Sequence, residues 1–247
     1  MKFYGQWDPP VDEVLYENYF KNVNAGFFIE AGAYDGVNGS CCKFFEELGW
    51  KGINVEPAVS HYNDLIKNRP NSINLNIGLS NKNQVLRFKN VITNCNVDGY
   101  VYEKGTLPGD GNGSFEHAIE HMKELLTYDV SFEEYDIQTK DYNTLVKENN
   151  ISCVDLMCLD VEGFEFKVLE GFINSTILPS VMCIEYSYIG LKKLKKYISK
   201  IGYVFDFISF NNAYFHHKNF KCNNDVWFGS TNMECTVVNG NVVWVKL

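Results

Sequence analysis

The sequence predicts an α/β fold, a mostly parallel central sheet with helices on both faces. Three observations carry this. Strand-like and helix-like segments alternate between Gly26 and Ser80, the order that builds parallel sheets. The strand candidates are near-continuous apolar runs, as strands covered on both faces must be. The chain, with 247 residues of which 45% are hydrophobic, is long enough to enclose one sizeable core.

Taken in order, "PVDEVLYENYF" (Pro10 to Phe20) carries Val11, Val14, Leu15 and Phe20 at helical spacing and reads as a leading helix. Gly26 to Glu30 is the first strand, and "SCCKFFEELGW" the next helix, with Ser40 as a cap and Gly49 as its end. "KGINVEP" is the second strand, "SHYNDLIKNRP" a helix stopped at Pro70, and "SINLNIGLS" the third strand. "NKNQVLRFKNV" reads as an extra hairpin. Residues 93 to 135 break the alternation: a Gly-, Asp- and Asn-rich stretch precedes the helical "FEHAIEHMKELL", so an insertion or lid on the acceptor side is expected there. "TKDYNTLVKENN" reads as a helix, "CVDLMCLD" (Cys153 to Asp160) as the clearest strand, and "FEFKVLEGF" as a helix ended near Gly171. "SVMCIEY" is a fifth strand, "LKKLKKYISKIG" a helix with a solvated lysine face, and "YVFDFISFNNAYFHH" opens a β-rich ending that includes His216 and His217. Residues 1–247 are expected to form a single domain.

Composition excludes some functions. A formal net charge of −9 argues against a nucleic-acid partner, because neutralising phosphates needs a basic surface. The N-terminus lacks an apolar signal core and no run is long enough to span a bilayer, so a cytoplasmic protein without a membrane span is expected. There are 8 cysteines but no CxxC pair; Cys41 and Cys42 are adjacent, and Cys153, Cys158 and Cys183 fall in apolar runs, which predicts buried free thiols.

The predicted strands end in acids: Glu30, Glu56, Asp160 and, in "CIEY", Glu185. Open parallel sheets bind ligands outside the carboxyl ends of their strands, and several carboxylates in one crevice call for a cationic, hydroxyl-bearing ligand. Glu56, at the end of the second strand, stands where an acid takes both hydroxyls of a ribose; the plain alternative is a helix-start acid beside Pro57. The turn Gly32-Ala33-Tyr34-Asp35-Gly36 has Tyr34 where a dinucleotide fingerprint needs its middle glycine, and Asp35 would repel a phosphate but attract an ammonium. S-adenosylmethionine has a ribose, a sulfonium and an ammonium and no phosphate, so these residues favour it over NAD.

The stretch "FFIEAGAYDGVNGSCCKFFEELGWKGINVEP", then "NRP", "NLNIGLS" and "VDLMCLDVEGFEFKVLEGF", resembles the FkbM-type methyltransferases over roughly Val11 to Glu185. The resemblance implies a Rossmann-like class I methyltransferase fold and S-adenosyl-L-methionine as cofactor, with O-methylation of a sugar in a glycan or natural product. It implies that Glu30, Gly32, Tyr34, Asp35 and Gly36 form the cofactor loop, that Glu56 holds the ribose, and that Asp160 and Glu162 lie near the transferred methyl. The chain departs from the family pattern at Tyr34 and at Cys158, where other members often carry Asn or a small residue, and Lys.

A sugar hydroxyl is a poor acid, so a positioned base is expected. The candidates are His117, His121, Asp160, Glu162 and Glu185. His117 and His121 stand at i and i+4 beside a Gly-Asn-Gly-Ser turn, on one helical face; the alternative is an acidic surface helix on which they merely occupy positions. That spacing could also bind a metal, but no third ligand is nearby and no metal is expected. Arg69 reads as a helix-end cation, or as the partner of a cofactor-side acid. The acceptor is expected to be a small molecule or glycan. The competing functions are methyl transfer to a phosphate-linked or amine group, and a non-enzymatic protein that binds a nucleotide-like ligand.

Overall fold

A computed structural model describes residues 1–93, 96–97, 100–101, 114–115, 130–220, 233–238 and 241–246. The strands of its first half are β1 (Phe27–Ala31), β2 (Lys51–Val55), β3 (Ile73–Leu75), β4 (Gly78–Ser80), β5 (Gln84–Thr93), β6 (Asn96–Val97), β7 (Tyr100–Val101) and β8 (Ser114–Phe115). Those of the second are β9 (Val130–Asp141), β10 (Leu156–Leu159), β11 (Val181–Glu185), β12 (Tyr203–Ser209), β13 (Asn212–His217), β14 (Met233–Val238) and β15 (Asn241–Lys246). The α-helices are α1 (Val11–Leu15), α2 (Lys43–Glu47), α3 (Val59–Asn68), α4 (Tyr142–Glu148), α5 (Glu165–Glu170) and α6 (Leu191–Ile198). No helix among the described residues is long and apolar enough to cross a membrane.

The central sheet is ordered β15-β14-β12-β13-β11-β10-β1-β2-β3. From β3 to β11 the strands are parallel, and β13 enters antiparallel beside β11. This mixed α/β, mostly parallel arrangement is consistent with the Rossmann-like reading. The chain lays down β1, β2 and β3 outward in one direction, then places β10 and β11 on the other side of β1. The topological switch therefore falls between β1 and β10, where ligands of such sheets bind.

Alternation along the strands gives each face its own core. Ile29, Ile53, Met157, Leu159 and Met182 pack with Leu145, Val168, Leu169 and Leu194 from α4, α5 and α6. On the opposite face Phe28, Leu156, Cys158 and Cys183 meet Leu15, Phe20, Phe45 and Trp50. The leading helix forms as α1 and continues through a wider turn at Tyr16–Phe20.

Several boundaries differ from expectation. "SINLNIGLS" divides: β3 stays in the central sheet, while β4 leaves it for a second sheet ordered β4-β9-β5-β8. The local hairpin expected at "NKNQVLRFKNV" is instead β5, paired antiparallel with the distant β9 from Gln84↔Thr139 to Thr93↔Val130. Consequently Thr139 to Asp141 is strand, and α4 begins only at Tyr142, where the Asp141 side chain accepts the Thr144 N–H at 2.8 Å. Cys153, expected to be buried, is exposed ahead of β10; Cys42, Cys158 and Cys183 are buried free thiols. Most of the expected insertion over 93–135 lies outside the described residues. Its two ends belong to β5 and β9.

Arg69, the last residue before Pro70, ends α3 as expected, its N–H donating to the Leu65 carbonyl, while its side chain turns fully inward. Its Nε donates to Glu46 at 2.6 Å, and its Nη1 to Glu30 at 3.2 Å, to the Gly36 carbonyl at 3.2 Å and to Ser40 Oγ at 3.1 Å. The guanidinium also lies 5.4 Å from the Phe28 ring centroid. One group thus joins α3, α2, β1 and the loop after β1. We predict that Arg69→Met, which takes the buried guanidinium from Glu30 and Glu46, lowers stability by roughly 3–5 kcal/mol in urea unfolding. Adding Glu30→Gln to that variant should recover part of the loss; no recovery would mean that the pair is not the source.

Candidate active site

At the switch point the ends of β1 and β10 touch. The Asp160 N–H donates to the Ala31 carbonyl at 3.0 Å, and the N–H groups of Gly32 and Ala33 both reach the Val55 carbonyl at the end of β2. Gly32 has φ +83°, and a Cβ on it would stand 1.7 Å from the Asp160 carbonyl oxygen. Only glycine permits that approach. The loop after β1 and the acid after β10 are therefore fixed to each other through backbone.

The predicted loop residues divide into two kinds. Glu30 and Asp35 have their carboxylates engaged within the protein. Glu30 accepts from Ser40 Oγ, from the Cys41 and Cys42 N–H groups at 2.6 and 3.2 Å, and from Arg69. Burial pushes the Glu30 carboxyl up, and the Arg69 guanidinium is the largest influence pulling it back. Asp35 accepts from the Val37 and Asn38 N–H groups, both at 2.8 Å, and from the Asn38 side chain, an Asx-type turn. These two acids shape the loop. Tyr34, in the left-handed region at φ +50°, sets its N–H 2.8 Å from Glu56 Oε2 and its ring edge-on to His61.

Glu56, immediately after β2, uses its other oxygen to accept the Ala58 N–H at 2.8 Å, so each oxygen holds one backbone donor. An ionised carboxylate has further lone pairs for a hydroxyl-bearing ligand. Burial pushes Glu56 up to about 8; the two N–H donors oppose this and the charge of Asp160 adds to it. Tyr135 of β9 accepts the neighbouring Val59 N–H at 3.0 Å, which brings the second sheet to the edge of this site.

The β10 and β11 ends concentrate negative charge. Oxygens of Asp160, Glu162 and Glu185 lie within 4.8 Å of one another, a spacing that suits shared protons or a bound cation. Burial raises Asp160 to about 6, against a hydrogen bond from Glu185. Burial and the Asp160 charge raise Glu185 to about 9. Such a pair holds one proton between them near neutrality. Glu162 is raised well above the carboxylate range by burial and by these neighbours, while a hydrogen bond to Tyr188 works the other way. It sits at φ +54° before Gly163 at φ +91°, a turn held in an uncommon conformation.

Beneath that turn lies Glu165, which sequence reasoning missed. It is 1% exposed; Oε1 accepts the Val161 and Gly163 N–H groups, and Oε2 is buried without a partner, as is Glu185 Oε2. The signal was present in the spacing of Asp160, Glu162 and Glu165, although an acid opening a helix ordinarily reads as a dipole partner. Tyr188 carried no signal of its own. His117 and His121 lie outside the described residues. His216 is set apart at the amino side of the sheet, its Nδ1 2.7 Å from Asp206. An open depression of about 640 Å³ lined by Tyr203, His217 and Lys218 lies at that same amino edge and holds no carboxylate.

A family model described as "Methyltransferase FkbM domain" matches residues 30–220. The matched region opens on Glu30 and contains Gly32, Glu56, Asp160, Glu162, Glu165 and Glu185. No curated protein matches the chain.

The raised carboxyls fix the pH response. Asp160, Glu165, Glu56 and Glu185, at about 6, 7, 8 and 9, keep protons in the folded protein that the unfolded chain has already released. Their contribution to stability is whole below the ordinary carboxylate range and is lost as pH rises through those values. We predict that Glu185→Gln gains urea stability over the parent as pH rises from ~5 to ~9, since the amide needs no proton to stay neutral. A parent–variant difference that does not change over this range would refute the assignment.

Proposed function

We propose that this chain, which belongs to the FkbM methyltransferase domain family, transfers a methyl group from S-adenosylmethionine to a sugar hydroxyl of a glycan or of a nucleotide-activated precursor. The observation that carries the reading is the distribution of acids around the Gly32–Asp160 contact: Glu56 on one side, and Asp160, Glu162 and Glu185 on the other. The residues fit such a cofactor. Glu56 is placed to take ribose hydroxyls, and the carboxylates beyond β10 and β11 suit a ligand bearing positive charge.

When bound, S-adenosylmethionine supplies a methyl already activated by its sulfonium. What remains for the protein is alignment and proton removal. Asp160 is the described base. At about 6 it is ionised near neutrality, and Glu185 keeps the proton that would otherwise leave two adjacent charges. His117 is the competing base.

Calorimetry with S-adenosylhomocysteine tests the cofactor half. The parent should bind, and Glu56→Ala should weaken binding by roughly 1–3 kcal/mol through hydrogen bonds lost to the ribose hydroxyls. Unchanged affinity in a folded Glu56→Ala protein would remove Glu56 from the site.

Single-turnover transfer separates the bases. If His117 takes the proton, His117→Ala should keep normal cofactor affinity and lose on the order of 10²–10⁴ in rate. If Asp160 does so, Asp160→Asn should carry that loss and His117→Ala should transfer at near the parent rate.

A further inference from the structure

The first ten residues place a large aromatic ring at the carboxyl edge of the sheet. Gly5 bridges Gly39 in the loop after β1. Two residues on, the Trp7 ring stacks on Phe210 at 5.0 Å between centroids and 10° between planes. Phe210 occupies the turn joining β12 to β13, and that turn is bound to the residue after Glu185. Tyr186 N–H donates to the Asn211 carbonyl at 2.9 Å, and Tyr186 Oη to the Phe210 carbonyl at 3.0 Å. Between β1 and β13 the sheet contains only β11 and β10. The segment from Gly5 to Trp7 therefore lies on the carboxyl side of the sheet, running from the loop after β1 toward the turn that Tyr186, next to Glu185, holds.

Both rings are held there against backbone preference. Trp7 has φ +76° and Phe210 φ +51°, a region that bulky residues rarely adopt. The surroundings impose it. The buried Asp12 carboxylate accepts the Tyr4 and Gly5 N–H groups at 2.7 and 3.0 Å, and Tyr186 fixes the other side. Yet Trp7 remains 44% exposed, so burial of its ring does not account for the strain. A half-open indole seated on Phe210, on the side of the sheet where β10 and β11 end in acids, has the two elements that hold a pyranose: a flat apolar face for the ring's C–H side, and acceptors at the same sheet edge for its hydroxyls.

We propose that Trp7, seated on Phe210, is the stacking platform for the pyranose ring of the acceptor. This rests on the sugar-methylating reading given above and assigns residues to its acceptor half. Phe210 acts by positioning Trp7.

The test is saturation-transfer NMR on the full chain, saturated with S-adenosylhomocysteine, against methyl pyranosides of gluco, galacto, manno and 6-deoxy configuration. At least one should receive saturation at its ring C–H protons. Trp7→Gly, which relieves the left-handed backbone, should keep or raise the urea midpoint and lower that signal by about fivefold or more. Trp7→Phe should retain most of it. Equal signals in the parent and in a folded Trp7→Gly protein, or no pyranoside signal from the parent, would overturn the platform. Calorimetry on the same samples keeps the two readings apart, because failure of the parent to bind S-adenosylhomocysteine counts against the cofactor assignment alone.

Discussion

A single buried guanidinium holds the site together. Arg69 is fully enclosed, and its partners come from every element around the loop after β1: Glu30 from the strand, Gly36 and Ser40 from the loop, Glu46 from α2. Removing such a group exposes two carboxylates to an apolar interior, so the loop has one arrangement that satisfies its charges. The same loop makes the close approach of Gly32 to Asp160, which continues the parallel β1–β10 ladder, so the charged anchor and the strand-end acids share one short stretch of chain.

Against this rigidity stands a deliberate excess of charge. Asp160, Glu162, Glu165 and Glu185 crowd a small volume, and their raised proton affinities measure how poorly the folded chain tolerates them ionised together. A fold selected only for stability would place apolar or neutral side chains there. A ligand bearing positive charge would relieve the repulsion that remains when these acids ionise.

Much of this was legible in the sequence, and the failures share a cause. The parallel strands and the acids at their ends could be read because an apolar run closed by a carboxylate has few other meanings. The direction of each carboxylate could not. Glu30, opposite Asn54 near the end of β1, and Glu56, just past the end of β2, both close apolar runs, yet one is bound up in a salt-bridge network and the other receives only two backbone donors. That difference is set by Arg69, 39 positions from Glu30 in the chain. The same long reach hid β9, whose residues Thr139 to Asp141 join a helical pattern locally and a strand in the fold. Its partner β5 lies too far away in sequence for local pattern to pair them.

The β5–β9 ribbon also bears on how such a protein can change over time. Its ladder is closed from Gln84↔Thr139 out to Thr93↔Val130, so the two chain ends at its tip are held side by side whatever sequence connects them. The entropic penalty for a longer connection at such a point is small, about 0.6 kcal/mol for each doubling of length. The middle of the ribbon is meanwhile tied to the chain just after Glu56 by Tyr135. Descendants of this chain can lengthen or shorten the intervening segment at small cost to the sheet as long as β8, which that segment contributes, keeps its pairing with β5, and so diversify one part of the molecule while the strand-end carboxylates stay in register.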